Sequence, residues 1–274
     1  MRIPADSEIP DGAVAVPAVV TALARGDAIT PVWRNELGGL TFRLDDTRGG
    51  GGRGARYVKW VAAGTPEIDL AAEAERLAWA ARWVRVPPVL EHGADGAGAW
   101  LVTEAVPGVP AVDRRWAADP VVAATAIGRG LRLLHDSLPV AECPFDWGVA
   151  RRLPRADERI AEGEGPADWA PEHRRLTLAE ARARLDAPPP IDRLVVCHGD
   201  PCVPNTLLHD DGTVAAHVDL GSLGVADRWA DLAVGAWSAE HDYGPGCDSW
   251  VYEGYGIDPD PERIAYYRLL WDLA

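Results

Sequence analysis

One stretch constrains the fold of this chain more than any other: an apolar strand that leads into an acidic loop and then a hairpin. The loop is residues 198–205, with the sequence HGDPCVPN, and Asp219 follows fourteen residues after its end. Apolar runs at 194–196 and 214–218 predict short strands before both acids. The turn sequence Asp-Asp-Gly at 210–212 predicts a hairpin that returns Asp219 to the end of the loop.

Three oxygen-bearing side chains are expected to meet there, namely Asp200, Asn205 and Asp219. A carboxylate that orients a hydroxyl and accepts its proton, beside oxygen ligands for Mg2+, is what phosphoryl transfer from a nucleotide requires. Asp200 suits the first task. The Asn205 carbonyl oxygen and the Asp219 carboxylate suit the metal, which prefers hard oxygen ligands.

The ordered motifs resemble those of the aminoglycoside O-phosphotransferases, antibiotic-resistance kinases with the protein-kinase fold. The resemblance rests on H-G-D-x-x-x-x-N, on D-L-G at 219–221, and on residues 224–233 and 257–270. The run VCHGDPC with the following Pro-Asn is most similar to the streptomycin 3''-kinase branch. This resemblance implies Mg-dependent transfer of the γ-phosphate of ATP, or of GTP, to an aminoglycoside hydroxyl, with the 3''-hydroxyl of streptomycin as the best candidate.

The resemblance also implies an α+β, bilobal protein-kinase-like fold. Residues 1–105 would form a small nucleotide-binding lobe with an antiparallel sheet and a helix. Residues 106–274 would form a larger, mainly helical lobe that carries catalysis and aminoglycoside binding. Thr103 and Ala105 lie at the end of the last small-lobe strand. The resemblance implies that the Thr103 backbone carbonyl and the Ala105 backbone amide hydrogen-bond the edge of adenine.

The lysine at position 59 is the only lysine of the chain and lies in an apolar predicted strand. A compact point charge suits the α- and β-phosphates, although a strand lysine can also simply reach solvent. The family resemblance pairs this lysine with a glutamate of the helix predicted over Ile68 to Val84. The spacing favours Glu73, with Glu75 as the alternative.

Two glycine-rich segments are candidates for close approach to phosphates, because glycine has no Cβ. The four glycines at 49–52 lie between the second and third predicted strands, so we interpret them as a hairpin loop. The turn that contains Gly38 and Gly39, after Glu36, is the better candidate.

Acidic residues in the second half of the chain are candidates for binding a cationic acceptor. A segment at 151–190 resembles the helical insertion that these kinases place over the acceptor. The candidates in it and near the carboxyl end are Asp168, Glu240, Asp242, Asp272 and the terminal carboxylate of Ala274. Charged helix faces are commonly just solvated, so this remains an expectation.

The charge balance of 27 basic and 42 acidic residues, formally −15, argues against nucleic acid and anionic membranes as partners. Four cysteines without a C-x-x-C pair indicate a reducing cytoplasmic setting rather than a disulfide framework. The apolar stretch at 12–24 follows acids rather than basic residues, which favours a first helix over a signal peptide. We expect a monomer.

Several polar residues near the loop are expected to be structural. His135 is predicted to be a buried, hydrogen-bonded residue of a helix over Pro120 to Leu138. His198 is expected to brace the loop rather than act as a base, and Asp227 and Asp231 are expected to brace it as well.

Other functions stay open at this stage. Relatives commonly have Arg after D-x-G where this chain has Ser222, which leaves room for another cationic acceptor, such as a kanamycin- or neomycin-type 3'-hydroxyl. A nucleotide-binding pseudokinase and a metallohydrolase that uses His198 with Asp200 are the remaining alternatives.

Overall fold

The computed structural model describes residues 10, 14–35, 37–47 and 54–274. The glycines at 49–52 and the Glu36 position of the predicted phosphate turn lie outside the described residues. The chain forms two compact units, one ending at Val106 and the other starting at Pro107. Within the described ranges, no helix has the length and apolarity needed to cross a bilayer.

The first unit is a five-stranded antiparallel sheet with two helices, in the strand order β1-β2-β3-β5-β4. Apolar side chains of α1 pack with those of the first three strands and β5 to form its core. Its elements are α1 (Ala18–Ala24), β1 (Ala28–Arg34), β2 (Leu40–Asp45), β3 (Arg56–Ala62), α2 (Leu70–Ala80), β4 (Val89–Ala94) and β5 (Gly98–Glu104). The predicted antiparallel sheet with a helix is confirmed.

Helix α2 is shorter than the predicted span of Ile68 to Val84. It begins after Asp69, whose carboxylate accepts a hydrogen bond from the Ala72 amide at 2.9 Å. It ends at Ala80, where the Trp83 amide donates to the Ala80 carbonyl at 3.0 Å and tightens the chain into a turn.

The second unit is mainly helical and contains two small antiparallel sheets. One sheet pairs β7 with β10, and the other has the order β6-β8-β9. Its elements are β6 (Val109–Pro110), α3 (Arg114–Ala117), α4 (Pro120–Ser137), α5 (Val149–Ala161), α6 (Leu178–Leu185), β7 (Leu194–Cys197), β8 (Thr206–Leu208), β9 (Val214–His217), β10 (Gly224–Asp227), α7 (Trp229–Tyr243), α8 (Cys247–Tyr255) and α9 (Pro261–Leu273). Apolar faces of α4, α7, α8 and α9 meet in a single core.

The sequence predicts the β8–β9 hairpin and two closing helices, over Asp227 to Trp237 and over Pro261 to Leu273. The hairpin and the second of these helices are confirmed. The helix predicted to start at Asp227 begins two residues later, because Asp227 ends β10 and its carboxylate accepts from the Trp229 amide at 3.1 Å. Helix α8 has no counterpart among the predicted elements. It is only 9 residues long and follows a Gly-Pro-Gly segment, which weakens its periodic signal.

Candidate active site

The acidic loop joins β7 to β8 and carries the residues that the sequence singles out. The Val218 amide donates to the Asn205 carbonyl at 3.0 Å. This hydrogen bond extends the β8–β9 hairpin by one step and brings Asp219 beside the end of the loop. The predicted closeness of Asn205 and Asp219 is therefore confirmed.

Gly199 lets the loop pass close to the turn that follows Asp219. Its φ of +85° is in the left-handed region, and a Cβ there would lie 2.2 Å from the Ser222 carbonyl oxygen. Asp219 also has a positive φ, of 62°, which a non-glycine residue adopts at a cost of about 1–3 kcal/mol. The backbone therefore holds the two acidic segments together at some energetic cost, as is common at functional sites.

The Asp200 carboxylate lies in an environment that disfavours its charge. Its Oδ1 atom is buried and has no hydrogen-bond partner among the described residues. Burial, and after it the charge of Asp219, raises the pKa of Asp200 to about 6. The Asp200 and Asp219 carboxylates thus repel each other, and one Asp200 oxygen is buried without a donor. A divalent cation would stabilise such a site.

Asn205 is oriented by the loop itself. Its Nδ2 atom donates to the Asp200 carbonyl at 3.0 Å. Because the amide nitrogen is used in this way, the Oδ1 atom is the part of the side chain that remains to face an electropositive ligand. The donor set of Asn205 and Asp219 thus fits Mg2+ in its chemistry.

Asp231 of α7 anchors the start of the loop. Its carboxylate accepts from the His198 amide at 2.6 Å, from the Gly199 amide at 2.9 Å and from Nε2 of His135 at 2.9 Å. Nδ1 of His135 lies 3.0 Å from the Tyr255 hydroxyl. Burial raises the pKa of Asp231, but the hydrogen bond and charge of His135 outweigh it, so the net shift is downward. The structural roles predicted for His135 and Asp231 are confirmed.

His198 is wholly buried, and its Nδ1 accepts a long hydrogen bond of 3.3 Å from the Asp200 amide. Its ring meets that of His217 edge to face at 5.5 Å. Burial lowers the pKa of His198, so the neutral ring is favoured. These contacts support the interpretation of His198 as a brace.

Asp227 does not brace the loop, and that prediction is wrong. Its carboxylate accepts from the Asp192 amide at 2.7 Å and from the Trp229 amide at 3.1 Å. The reason is topological: Asp227 pairs with Leu194 at the start of β7, whereas the loop leaves the other end of that strand.

One cluster within the described residues has the spacing of metal ligands: His135, Cys197 and Asp231, whose ligand atoms lie within 4.8 Å of one another. All three are buried, the histidine already bonds Asp231, and the Cys197 thiol donates to the Asp227 carbonyl at 3.4 Å. The cluster is a hydrogen-bonded part of the core and gives the metallohydrolase alternative no support.

Lys59 and Glu73 form an ion pair inside the first unit. Nζ of Lys59 lies 2.7 Å from Oε1 of Glu73, and the glutamate side chain is only 6% exposed. Lys59 comes from β3 and Glu73 from the first turns of α2, whereas Glu75 is exposed. The contact chosen from the spacing is therefore present, and the alternative with Glu75 is excluded.

The turn between β1 and β2 contains Gly38 and Gly39. The Gly38 amide donates to the Asn35 carbonyl at 3.0 Å, and the Gly39 amide donates to Asn35 Oδ1 at 2.7 Å. Gly38 has a φ of +81°, which explains the glycine. Both amides are engaged within the turn, and the predicted approach of Gly38 and Gly39 to phosphates stays a prediction.

The end of β5 carries the groups predicted to face adenine. The Ala105 amide donates to the Ala55 carbonyl at 2.9 Å, and the register pairs Thr103 with Tyr57. The Ala105 amide would have to release the Ala55 carbonyl to bind adenine, so its adenine contact stays a prediction. The β3–β5 ladder runs further than the sequence indicates. The role of Thr103 stays a prediction.

One of the acids predicted for the acceptor already has partners within the fold. Asp272 on α9 contacts Nδ1 of His173 at 2.5 Å and accepts from the Ala170 amide at 3.0 Å. Its side chain is 10% exposed, so it ties α9 to the segment before α6 rather than presenting an open charge. The acceptor-binding role of Asp272 stays a prediction.

Glu240 and Asp242 are both exposed on α7 but point to different sides of it. Two residues along an α-helix are about 200° apart. Asp242 accepts from the Ser238 hydroxyl at 3.1 Å. Burial chiefly raises the pKa of Cys247 and of Tyr252 on α8, and the Glu240 charge adds to both shifts. The acceptor-binding roles of Glu240 and Asp242 stay predictions.

The remaining acceptor candidates keep their status as predictions. Asp168 is exposed and accepts from the Gly165 amide at 3.2 Å. Ala274 is half-buried at the end of α9, with its amide on the Leu270 carbonyl at 3.0 Å.

Sequence reasoning overlooked Ser238, which is fully buried and accepts from the Val203 amide of the loop at 3.0 Å. Its position seven residues after Asp231 places both on one face of α7, which is the signal that identifies it.

Comparison with known proteins identifies the class. Residues 35–267 match the phosphotransferase enzyme family. The chain is 40% identical over 257 residues to the streptomycin 3''-kinase of Streptomyces griseus, and the aligned region covers 89% of this chain and 91% of that protein. It is 41% identical over 227 residues to an aminoglycoside 3'-phosphotransferase of Streptomyces fradiae, with 78% and 84% covered.

Among solved structures, it resembles an aminoglycoside phosphotransferase of Streptomyces rimosus in complex with ADP and streptomycin. The TM-score is 0.71 at 31% identity, with 93% of this chain and 97% of that one covered. The fold is thus the protein-kinase-like fold of the aminoglycoside phosphotransferases. The chain belongs to the phosphotransferase enzyme family, and it is a small-molecule kinase.

Proposed function

We propose that this enzyme confers antibiotic resistance by transferring the γ-phosphate of ATP to the 3''-hydroxyl of streptomycin. The observation that carries the proposal is the loop with Asp200, Asn205 and Asp219 on a chain 40% identical to a streptomycin 3''-kinase. A solved relative that binds ADP and streptomycin together supports the same donor and acceptor.

In this proposal Asp200 is the catalytic residue. Its carboxylate orients the acceptor hydroxyl and takes its proton as the oxygen–phosphorus bond forms and ADP leaves. Burial already raises the pKa of Asp200, which makes the carboxylate a better base than an exposed aspartate. Asp231 and His198 keep it in place by holding the backbone on its amino-terminal side.

Asn205 and Asp219 would hold Mg2+. When bound, the metal neutralises negative charge on the phosphate oxygens. The orphaned Oδ1 of Asp200 and the repulsion from Asp219 are what support a cation here.

Residues 1–105 would bind the nucleotide and residues 106–274 would carry catalysis and acceptor binding. In the first part, Glu73 holds the Lys59 ammonium group, and we assign that ammonium to the α- and β-phosphates and the Thr103 carbonyl to adenine. In the second part, Asp242, Asp168 and the carboxylate of Ala274 would attract the positive groups of the acceptor. Four free thiols fit a reducing cytoplasm, and we expect a monomer.

A second candidate is transfer to the 3'-hydroxyl of a kanamycin- or neomycin-type aminoglycoside. The 41% identity to a 3'-phosphotransferase favours it specifically. GTP as the donor is the corresponding alternative on the nucleotide side.

The test is an activity panel with the purified chain, Mg2+, ATP or GTP, and streptomycin or a 3'-hydroxyl aminoglycoside, followed by NMR assignment of the phosphorylated position. We expect streptomycin 3''-phosphate with ATP. Product at a 3'-hydroxyl alone would establish the second candidate instead. Nucleotide binding without transfer to any acceptor would establish a pseudokinase. The Asp200→Asn variant is the control, and we expect it to lower turnover by about 100-fold or more while nucleotide affinity is kept.

A further inference from the structure

One face of α7 follows the catalytic loop from His198 to Val203. Asp231 binds the amides of the first two loop residues. A Cβ at Gly235 would lie 3.3 Å from the Pro201 carbonyl, and Ser238 accepts from the Val203 amide. Asp242 is the next residue on this face, one turn beyond the last loop contact. The spacing of four, three and four residues keeps these positions in line along the helix.

The hydroxyl of Ser238 has a defined direction. Its oxygen accepts from the Val203 amide at 3.0 Å, so its own proton is available for Oδ2 of Asp242 at 3.1 Å. The serine is fully buried, whereas Asp242 is exposed and can reach a ligand. A single buried hydroxyl thus joins the backbone of the catalytic loop to an exposed carboxylate.

The same hydroxyl also reaches the neighbourhood of Asp200. The buried Cys202 thiol interacts with both side chains: burial chiefly raises the pKa of Cys202, the Asp200 charge raises it further, and a hydrogen bond with Ser238 opposes the rise. Ser238 therefore bonds the Val203 amide and lies near the Cys202 thiol.

We propose that Ser238 is a positioning residue that couples the acceptor-binding carboxylate of Asp242 to the loop that carries Asp200. This inference rests on the proposed function, because it takes the ligand of Asp242 to be an ammonium or guanidinium group of the acceptor. A cation on Asp242 orders that carboxylate, the carboxylate orders the Ser238 hydroxyl, and the hydroxyl orders the Val203 end of the loop.

The kinetic arm of the test compares Ser238→Ala, Ser238→Thr, Asp242→Asn and the double variant Ser238→Ala with Asp242→Asn. Ser238→Ala should raise the acceptor KM about 3- to 10-fold and lower kcat, which is the range of one hydrogen bond, with the ATP KM unchanged. Ser238→Thr keeps the hydroxyl, so its acceptor KM and its kcat should be close to the wild-type values. In the double variant, Asp242→Asn should add little to the acceptor KM.

The control is Ser249→Ala on α8, which also removes a serine hydroxyl, here one that donates to the Gly246 carbonyl at 2.6 Å. It should leave both KM values and kcat unchanged. Effects of Ser238→Ala and Asp242→Asn that multiply independently would overturn the coupling.

The structural arm measures hydrogen exchange of the Val203 amide by NMR and requires no substrate. Ser238→Ala should speed this exchange at least several-fold, whereas Ser249→Ala should not. Unchanged exchange would overturn the inference whatever the substrate is. If the wild-type enzyme phosphorylates a cationic acceptor other than an aminoglycoside, the proposed substrate is refuted, and the same variants assayed with that acceptor decide the coupling.

Discussion

Asp231→Asn probes the most heavily used carboxylate of the site. Asp231 is fully buried and accepts three hydrogen bonds, two of them from the backbone of the catalytic loop. Oδ2 serves the His198 amide and His135, and Oδ1 serves the Gly199 amide. Asparagine has nearly the same shape but supplies one oxygen and one NH2 group, so the NH2 group must face at least one N–H donor.

The magnitude follows from these contacts. If the asparagine oxygen takes the place of Oδ2, the bond to Gly199 is lost and two charge-assisted bonds become neutral ones. A hydrogen bond to a charged group contributes about 1.5–3 kcal/mol and a neutral one about 0.5–1.5 kcal/mol. Removing the buried charge offsets part of the loss. We therefore expect the free energy of unfolding to fall by about 3 kcal/mol.

Activity should fall further than stability alone explains, because the Gly199 amide, which the new NH2 group repels, belongs to the residue directly before Asp200. A displacement of a catalytic group by about 1 Å can lower the rate about 100-fold. The assay pairs urea unfolding at pH 7 with kcat below the unfolding transition. The control is Asp211→Asn, which changes an exposed carboxylate that accepts from the Thr213 amide at 2.9 Å, and its effect should be much smaller. A folded Asp231→Asn enzyme with wild-type stability and kcat would refute the anchoring role.

Two further perturbations test the packing and the protonation of the site. Gly199→Ala should abolish most activity, because its Cβ would lie 2.2 Å from the Ser222 carbonyl oxygen. The control Gly256→Ala has a similar φ of +81°, but the nearest atom to its Cβ is 4.0 Å away, so it should keep its activity. Equal kcat in the two variants would contradict this prediction. Burial, with a smaller contribution from His198, lowers the pKa of His217 to about 3, below its unfolded value of about 6.5. The stability that this neutral ring provides is fully present above pH 6.5 and is lost as the pH falls toward 3. The free energy of unfolding, measured by denaturation, should therefore fall by about 2 kcal/mol between pH 6.5 and pH 4.5. This fall should be smaller in His217→Gln and the same as in the wild type in His92→Gln, which changes an exposed histidine.

The sequence predicts the catalytic loop well because its geometry is local. The turn at 210–212 and the two short strands decide where Asp219 returns, and only fourteen residues separate it from Asn205. The family resemblance predicts that Lys59 pairs with a glutamate of α2, and the structure decides between Glu73 and Glu75.

The partners of the acidic residues on the acceptor side are harder to predict, because they come from far along the chain. Asp272 finds His173 at 99 residues' distance along the chain, and Glu172 finds Arg268 at 96 residues' distance. A run of acids shows which charges exist but not which ones have partners in the fold. The engaged amide of Ala105 is a similar case, because its acceptor is the distant Ala55 carbonyl just before β3.

The contacts of α7 explain why its inner face is built from small and polar residues. From Asp231 to Ser238 the helix rises about 10 Å, at 1.5 Å per residue, and over that length it meets loop residues from His198 to Val203 in order. A side chain larger than glycine at 235 would press on Pro201 and move the loop away from the helix. Glu240 lies on the opposite side and bonds nothing in the loop among the described hydrogen bonds. Charge on α7 can therefore vary at Glu240 without moving Asp200, whereas any change at Asp242 is transmitted through Ser238.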